Sequence, residues 1–229
     1  MADVKGQSRR GAPSGGRPGR DTSRGAGRAG QARTRLARRA VVEAARELFT
    51  ERGYQATTID AISERSGVPA ATVYRLFANK LGILKALLDV SIAGDDEPVP
   101  LPQRPQVAEL LAAGDADAVL AGFTRFTVAI NVRSNDLYRI LASAATSDPA
   151  AAALFEEYQR QRAQGQGMFA RALARAGALR PGVKERDAAD LIHALMSPEL
   201  YRLLVIDRGW SVDRYEQWLT RTITQQLRG

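Results

Sequence analysis

The hydrophobic pattern of this 229-residue chain is helical from about residue 32 to its end. Apolar residues recur at intervals of three and four, which is the spacing of one face of an α-helix. No segment alternates apolar and polar residues as a half-exposed strand would. The pattern therefore predicts an all-α protein. We expect a helical N-terminal domain over residues 32–79 and a larger C-terminal helical domain over residues 80–229.

The stretch from Thr57 to Lys80 predicts two short helices around a tight turn. A threonine hydroxyl is suited to cap the first helix, Gly67 suits a turn with positive φ, and Pro69 pre-sets φ for the second helix. The second helix has one apolar face, made of Val73, Leu76 and Phe77. Its other face carries small, hydroxylated or cationic side chains: Ala70, Thr72, Tyr74 and Arg75. Such a face fits a DNA groove, so the stretch favours a helix-turn-helix over an ordinary helical hairpin with solvated polar residues.

The segments on either side of this stretch are also predicted to be helices. One stripe of residues 32–52 holds Leu36, Ala40, Val41, Ala44, Leu48 and Phe49. We expect Gly53 to end this first helix, which completes a three-helix core. Residues 79–94 form a fourth helix. Lys80 lies at its start, where the helix dipole disfavours a cation, and a nearby phosphate would explain that position.

Beyond residue 94 the pattern predicts a loop and then helices to the end of the chain. The loop, residues 95–105, contains four prolines and an acidic cluster. The predicted helices cover residues 107–112, 115–132, 136–146, 149–176, 187–196 and 199–207, and a last one starts at Ser211 or Asp213.

The net charge of +8 is concentrated at the N-terminus. Residues 1–40 hold eleven basic and two acidic residues, whereas the rest of the chain holds 22 basic and 23 acidic ones. Residues 1–31 are rich in glycine, arginine, serine and proline, and we expect a disordered basic arm because they offer little apolar surface to bury. This arm is either a solubilising tail or a segment that binds DNA phosphates.

Composition argues against several other classes of protein. The absence of cysteine excludes disulfides and thiolate sites, and His193 is the single histidine. We see no glycine-rich phosphate loop, paired-carboxylate constellation or nucleophile motif, and we predict no enzymatic activity, metal or cofactor. No apolar run approaches the ~20 residues of a membrane span, and no signal peptide is recognisable. We therefore expect a soluble cytoplasmic protein without a membrane partner.

The chain resembles the tetracycline-repressor (TetR) family of bacterial transcription regulators over residues 33–90. The residues that carry the resemblance are Phe49, Gly53, Tyr54, Thr57, Thr58, Ile62, Gly67, Val68, Tyr74, Phe77 and Lys80. Pro69 departs from the family pattern, which often has a serine there as a cap for the recognition helix. The resemblance implies a sequence-specific DNA-binding regulator, most simply a repressor that a small molecule releases from its operator. The alternative is a ligand-independent DNA-binding or nucleoid-type protein.

The resemblance and the helical pattern together suggest the residues that contact DNA. Tyr74 and Lys80 are expected at phosphates, although Tyr74 would also suit a partly buried position between helices. Thr57 and Thr58 are expected as caps that also donate to phosphates. Ala70, Ala71 and Thr72 suit contacts with thymine methyl groups, and Arg75 suits a base edge or a phosphate.

The resemblance also implies a ligand pocket in the larger domain. The candidate lining residues are Phe123, Phe126, Ile130, Tyr138, Phe155, Tyr158, Phe169 and His193. The alternative for each of these residues, taken singly, is that it is an ordinary residue of the hydrophobic core. His193 in particular fits a satisfied core or interface histidine.

A homodimer through the last two helices is the remaining expectation. The final helix carries an apolar stripe from Tyr215 to Leu227, which includes Trp218 and Ile223. In the family that the chain resembles, the last two helices pair with their two-fold copies as a four-helix bundle. The alternative is that the last helix only covers its own domain.

Overall fold

The computed structural model describes residues 22–94, 103–112 and 115–228, with side chains from residue 30 onward. Over these ranges the chain forms helices and no strand, which confirms the all-α prediction. The helices are α1 (Thr22–Ala56), α2 (Ile59–Ser66), α3 (Ala70–Phe77), α4 (Lys80–Ala93), α5 (Pro105–Ala112), α6 (Ala116–Ala145), α7 (Pro149–Arg175), α8 (Glu185–Leu195), α9 (Pro198–Tyr201) and α10 (Val212–Leu227). A π-helical segment, Arg202–Asp207, continues α9.

The first helix starts earlier than the hydrophobic pattern predicts. It begins at Thr22, so the prediction of disorder is wrong for residues 22–31. Alanine and arginine favour helix, and extending a helix beyond its buried part costs far less than nucleating one. Residues 1–21 of the predicted arm lie outside the described residues. At Gly53, φ is 77° and ψ is 171°, so the regular path of α1 ends where the sequence indicated.

The described residues from Arg38 onward form one compact unit, and the described residues 22–37 belong to another. The predicted domain boundary after residue 79 falls inside the larger unit, at the start of α4, and it stays a prediction. The first three helices bury a core of apolar side chains: Val41, Ala44, Ala45, Leu48, Phe49, Ile62, Val73 and Phe77. Leu36, which was predicted on the same stripe, is instead exposed.

A single long helix, α6, replaces the two helices predicted over residues 115–146. The first was predicted to end at residue 132 and the second to begin at residue 136, yet Ser134 and Asn135 are helical and buried. Their polar groups find partners, because Ser134 Oγ donates to the Ile130 carbonyl at 2.8 Å and Asn135 Nδ2 donates to the Pro198 carbonyl at 2.8 Å. A satisfied polar side chain costs little inside a helix bundle, so the helix continues.

The core of the larger part of the chain lies between α6, α7, α8 and α10. Phe123 of α6 stacks on Phe169 of α7 with ring centroids 3.5 Å apart, and Tyr138 meets Phe155 at 5.3 Å. These two pairs show that α6 and α7 run antiparallel. The stripe of α10 is buried in the same core, with Tyr215, Leu219, Ile223 and Leu227 shielded from solvent. Most of the stripe that suggested a subunit interface is therefore covered by its own chain, whereas Trp218 is half-buried.

Candidate nucleic-acid interface

The helix-turn-helix forms through the local signals that the sequence indicated. Thr58 caps α2, since its hydroxyl oxygen accepts from the Ala61 N–H at 3.1 Å. Gly67 follows α2 with φ at 67°, in the left-handed region that glycine adopts cheaply. Pro69 precedes α3 and offers no side-chain cap, as its departure from the family pattern implied. The turn instead is held by Ser63, whose hydroxyl donates to the Val68 carbonyl at 2.7 Å.

Helix α3 presents an open face beside its buried one. Val73 and Phe77 are buried, and Leu76 is partly buried, as its amphipathic pattern predicted. Tyr74 is 53% exposed, and Arg75 and Ala71 are exposed as well. Ala70 and Thr72 are half-buried. The residues expected to reach a DNA groove thus share an accessible helix face. Their contacts with DNA stay predictions.

Thr57 is not available to DNA. Its side chain is 0% exposed, and its hydroxyl lies 2.8 Å from the Gly53 carbonyl and 3.2 Å from the Leu48 carbonyl. These carbonyls belong to the end of α1, where the break at Gly53 interrupts the regular helical hydrogen bonds. Thr57 therefore ties the start of the helix-turn-helix to α1, and the predicted phosphate contact is wrong for this residue. Thr58 stays exposed and keeps its predicted role.

Lys80 also serves the end of α1. Its Nζ donates to the carbonyls of Tyr54 at 2.6 Å, Thr57 at 2.8 Å and Gln55 at 3.4 Å. The ammonium group also lies 4.3 Å from the centroid of the Tyr54 ring. Three carbonyls match the three N–H donors of an ammonium group, so none is left for a phosphate in this arrangement.

The position of Lys80 now has a physical reason. A cation at the start of α4 is unfavourable for that helix, but the carbonyl end of α1 carries partial negative charge. Lys80 neutralises that end, and its partial burial lowers its pKa because desolvation disfavours the charged form. The sequence signalled that Lys80 needs a negative partner. In this structure the partner is backbone from residues 54–57, and a contact of Lys80 with a DNA phosphate stays a prediction.

Further side chains brace the helix-turn-helix against α1. Arg65 of α2 lies 2.8 Å from a carboxylate oxygen of Glu47 and 3.2 Å from one of Glu51. The hydrogen bond from Arg65 lowers the pKa of Glu51. The guanidinium carbon of Arg38 lies 4.7 Å from the centroid of the Phe77 ring. Sequence reasoning missed these contacts, because residues 14 to 39 positions apart carry no local signal of pairing.

The eight predicted pocket residues lie in different surroundings. Phe123 and Phe169 stack inside the core. Tyr158 connects α7 to α4, since its hydroxyl donates to Asp89 Oδ1 at 2.6 Å. Tyr138 of α6 packs against Phe155 of α7, with ring centroids 5.3 Å apart, and His193 of α8 lies 2.9 Å from a side-chain nitrogen of Arg162 on α7. Phe126 and Ile130 are partly buried on α6.

An open groove of about 360 Å³ lies elsewhere, between α6 and α10. It is lined by Ala121, Arg125, Glu216, Gln217, Thr220 and Arg221, and by none of the eight predicted residues. The lining of a ligand pocket by those eight residues stays a prediction.

The described part of the chain also bears on two other features, membrane spans and metal sites. None of its helices combines the length and the apolar character that a membrane span requires. Among the same residues, no three histidine, cysteine, aspartate or glutamate side chains are grouped so that they could hold a metal ion.

Comparison with known proteins identifies the N-terminal fold. Residues 41–87 match the family model described as bacterial regulatory proteins, tetR family. An uncharacterized HTH-type transcriptional regulator of Bacillus subtilis, YdeS, is 26% identical over 181 residues, which cover 77% of this chain and 82% of that protein.

Solved structures extend the likeness over most of the chain. The complex of SmeT with triclosan matches with a TM-score of 0.65 and 19% identity, and the match covers 84% of this chain and 92% of SmeT. A protein from Saccharomonospora viridis, described as a transcriptional regulator in complex with choline, matches with a TM-score of 0.63 and 25% identity. That match covers 83% of this chain and 97% of the other.

Proposed function

We propose that this chain, whose residues 41–87 match the TetR family of bacterial regulatory proteins, is a cytoplasmic, homodimeric repressor of that family without catalytic activity. It binds an operator through α2 and α3, and a small molecule bound by the larger helical part releases it. The observation that carries the proposal is the accessible face of α3, with its small residues and its exposed Tyr74 and Arg75. The basic N-terminal residues add sequence-independent affinity for phosphates.

The residues that we propose to contact DNA, on α3 and at the start of α2, have distinct tasks. Ala70 and Ala71 let the helix backbone approach the bases, and Thr72 contacts a base or a thymine methyl. Tyr74 and Thr58 donate to phosphates and so set the position of the helix. Arg75 has no ion-pair partner among the described residues, which supports a free guanidinium for a base edge or a phosphate.

The proposed dimer uses the surface just before α10, because the stripe of α10 itself is covered. Leu203 and Ile206 of the π-helical segment are 51% and 55% exposed, although both are large and apolar. Trp210 and Trp218 lie nearby in sequence and are only half-buried, with their rings 5.8 Å apart in an edge-on arrangement. Exposed apolar residues of this size support a subunit interface there.

A route from the larger part of the chain to the DNA-binding helices runs through α4. Tyr158 of α7 bonds to Asp89, and Arg133 of α6 donates to the carbonyls of Ser91 at 2.9 Å and Ile92 at 3.2 Å. We propose that a ligand which shifts α6 or α7 moves α4 through these bonds. Because α4 also carries Lys80, that movement changes the placement of the helix-turn-helix.

A pair of alanine variants tests the proposed DNA contacts. Tyr74→Ala should lower affinity about equally for all sequences, because a phosphate contact carries no base information. Arg75→Ala should cost about 1–3 kcal/mol of discrimination at one base position. The measurement is fluorescence anisotropy on a selected operator and on single-base variants of it.

The matched control is Arg139→Ala, which removes an exposed arginine of α6. Operator binding that responds equally to Arg75→Ala and Arg139→Ala would reduce Arg75 to a general charge. Equal affinity of the unmodified protein for operator and random DNA would favour the alternative, a ligand-independent nucleoid-type protein.

A further inference from the structure

A polar cluster lies inside the larger part of the chain, between α6, α7 and α8. Its members are Asn131 of α6, Arg162 and Gln166 of α7, and His193 of α8. Asn131 and Gln166 are 3% and 4% exposed, and Arg162 and His193 are partly buried. The described helices that surround the cluster are packed mostly through apolar side chains, so a group of four polar residues within about one helical turn requires an explanation.

The antiparallel register places Asn131 level with Arg162. Tyr138 of α6 meets Phe155 of α7. Asn131 lies seven residues before Tyr138, and Arg162 lies seven residues after Phe155. Seven residues are about two helical turns, so both side chains return to the helix faces that meet at the aromatic pair. The same register is confirmed further along by the stack of Phe123 on Phe169.

Arg162 is bonded only to neutral groups. It donates to the His193 carbonyl at 3.2 Å, and its second terminal nitrogen lies 2.9 Å from His193 Nε2. Because arginine has no acceptor, Nε2 accepts, and His193 Nδ1–H donates to Gln166 Oε1 at 2.7 Å. In the described part of the chain no carboxylate forms an ion pair with Arg162. Glu199, whose negative charge acts on Arg162, accepts a hydrogen bond from the Tyr138 hydroxyl at 2.7 Å.

Two donors of the cluster have no partner. Arg162 Nε and Asn131 Nδ2 are shielded from solvent and make no hydrogen bond. An unsatisfied buried donor is costly, and so is a largely buried cation that has no direct ion pair. Burial accordingly lowers the pKa of Arg162, because desolvation disfavours its charged form. Positive charge and two orphan donors at one level call for a group that supplies acceptors and negative charge.

We propose that this cluster binds an organic anion, and that the anion is the effector of the regulator. The carboxylate or phosphate of the ligand accepts hydrogen bonds from Arg162 Nε and Asn131 Nδ2, and the rings of Tyr138 and Phe155 border its apolar part. The inference rests on the proposed function, since it names the chemical class of the effector. It also excludes a choline-like cation, which Arg162 would repel.

The site is well placed to act on α4. Tyr158 lies one helical turn before Arg162 on α7, and its hydroxyl bonds to Asp89 of α4. An anion that draws Arg162 toward Asn131 moves α7 at a point that lies one helical turn from the Tyr158–Asp89 hydrogen bond. The ligand therefore acts on the contact through which the DNA-binding helices are held.

The first test compares anions with uncharged and cationic analogues on the full-length protein. Benzoate, hexanoate and phenyl phosphate are the anionic probes, and benzamide and choline are the controls. We expect at least one anion to raise the melting temperature by about 3 °C or more at about ten times its Kd, and benzamide and choline to leave it unchanged. Carboxylate and phosphate probes separate the two possible anionic groups. No shift with any anion, or an equal shift with choline, would overturn the proposal.

Variants then assign the effect to the cluster. Arg162→Met should abolish the anion-induced shift, and Asn131→Leu should weaken the anion Kd about tenfold or more. Without anion, Asn131→Leu should melt no lower than the unmodified protein, because it removes an unsatisfied buried amide. Arg160→Met, at an exposed arginine two positions away, is the control. A full anion response in folded Arg162→Met protein would place the ligand elsewhere.

Release from DNA separates this inference from the proposed function. If operator binding is specific and the binding anion releases it from the unmodified protein but not from Asn131→Leu protein, both are supported. Specific operator binding without any effect of anions would refute the effector class alone. Absence of specific operator binding would refute the proposed function, whatever the anions do to the melting temperature.

Discussion

Lys80→Met should destabilise the protein by about 2–3 kcal/mol and abolish operator binding. The three carbonyls at the end of α1 lose a charged donor, and hydrogen bonds to charged groups contribute about 1.5–3 kcal/mol each before water replaces part of them. For a chain of this length, the expected fall in melting temperature is roughly 4–12 °C. Differential scanning calorimetry measures the fall, and hydrogen exchange of residues 54–80 localises it.

The matched control for this variant is Lys85→Met on the same helix. Lys85 makes an exposed pair with Asp89 at 3.3 Å, and such a pair contributes about 0.3–0.5 kcal/mol. Lys80→Met should therefore lower the melting temperature far more than Lys85→Met. An unchanged melting temperature for Lys80→Met, together with a salt slope reduced by about one unit, would return Lys80 to the DNA phosphates.

Leu203→Glu combined with Ile206→Glu should convert the dimer into a folded monomer. Both side chains are exposed in the single chain, so the glutamates cost little in the monomer but place charge inside a subunit interface. Loss of the second helix-turn-helix should lower operator affinity by about a hundredfold or more. Sedimentation velocity reports the mass, and circular dichroism reports the fold.

Two further variants serve as controls for the Leu203→Glu/Ile206→Glu experiment. Ile223→Glu puts a charge at a side chain that is fully buried in its own chain, so it should unfold the protein and cannot report on dimers. Val132→Glu removes an exposed apolar residue of α6 and serves as the surface control. A folded Leu203→Glu/Ile206→Glu variant that still sediments as a dimer would move the interface away from the last two helices.

Local signals in the sequence sufficed to predict the helix-turn-helix. The cap at Thr58, the glycine at position 67 and the buried pair Val73 and Phe77 each depend on neighbours within a few residues. The partners that Thr57 and Lys80 have in the structure were not foreseen, because they are backbone carbonyls between 4 and 26 residues away. A side chain that satisfies a distant helix end has the same sequence appearance as one that contacts a phosphate.

In the larger part of the chain, the sequence did not reveal which partner covers a given surface. The stripe of α10 was recognised, but an amphipathic pattern does not state whether its own chain or a second copy covers it. Ser134 and Asn135 were predicted to lie between two helices, because their hydrogen-bond partners, Ile130 of α6 and Pro198, are visible only in the fold. The sequence did not predict the cluster around Arg162 either, because its members lie on three different helices.

Selection of bound DNA from a random pool tests the central claim most directly. The full-length protein should enrich a nearly palindromic sequence whose half-sites lie about one helical turn apart, roughly 34 Å, as two α3 helices of a dimer require. The same selection with Arg75→Ala protein should lose information at one symmetric pair of positions. A pool that stays random while the protein binds it would contradict a sequence-specific regulator.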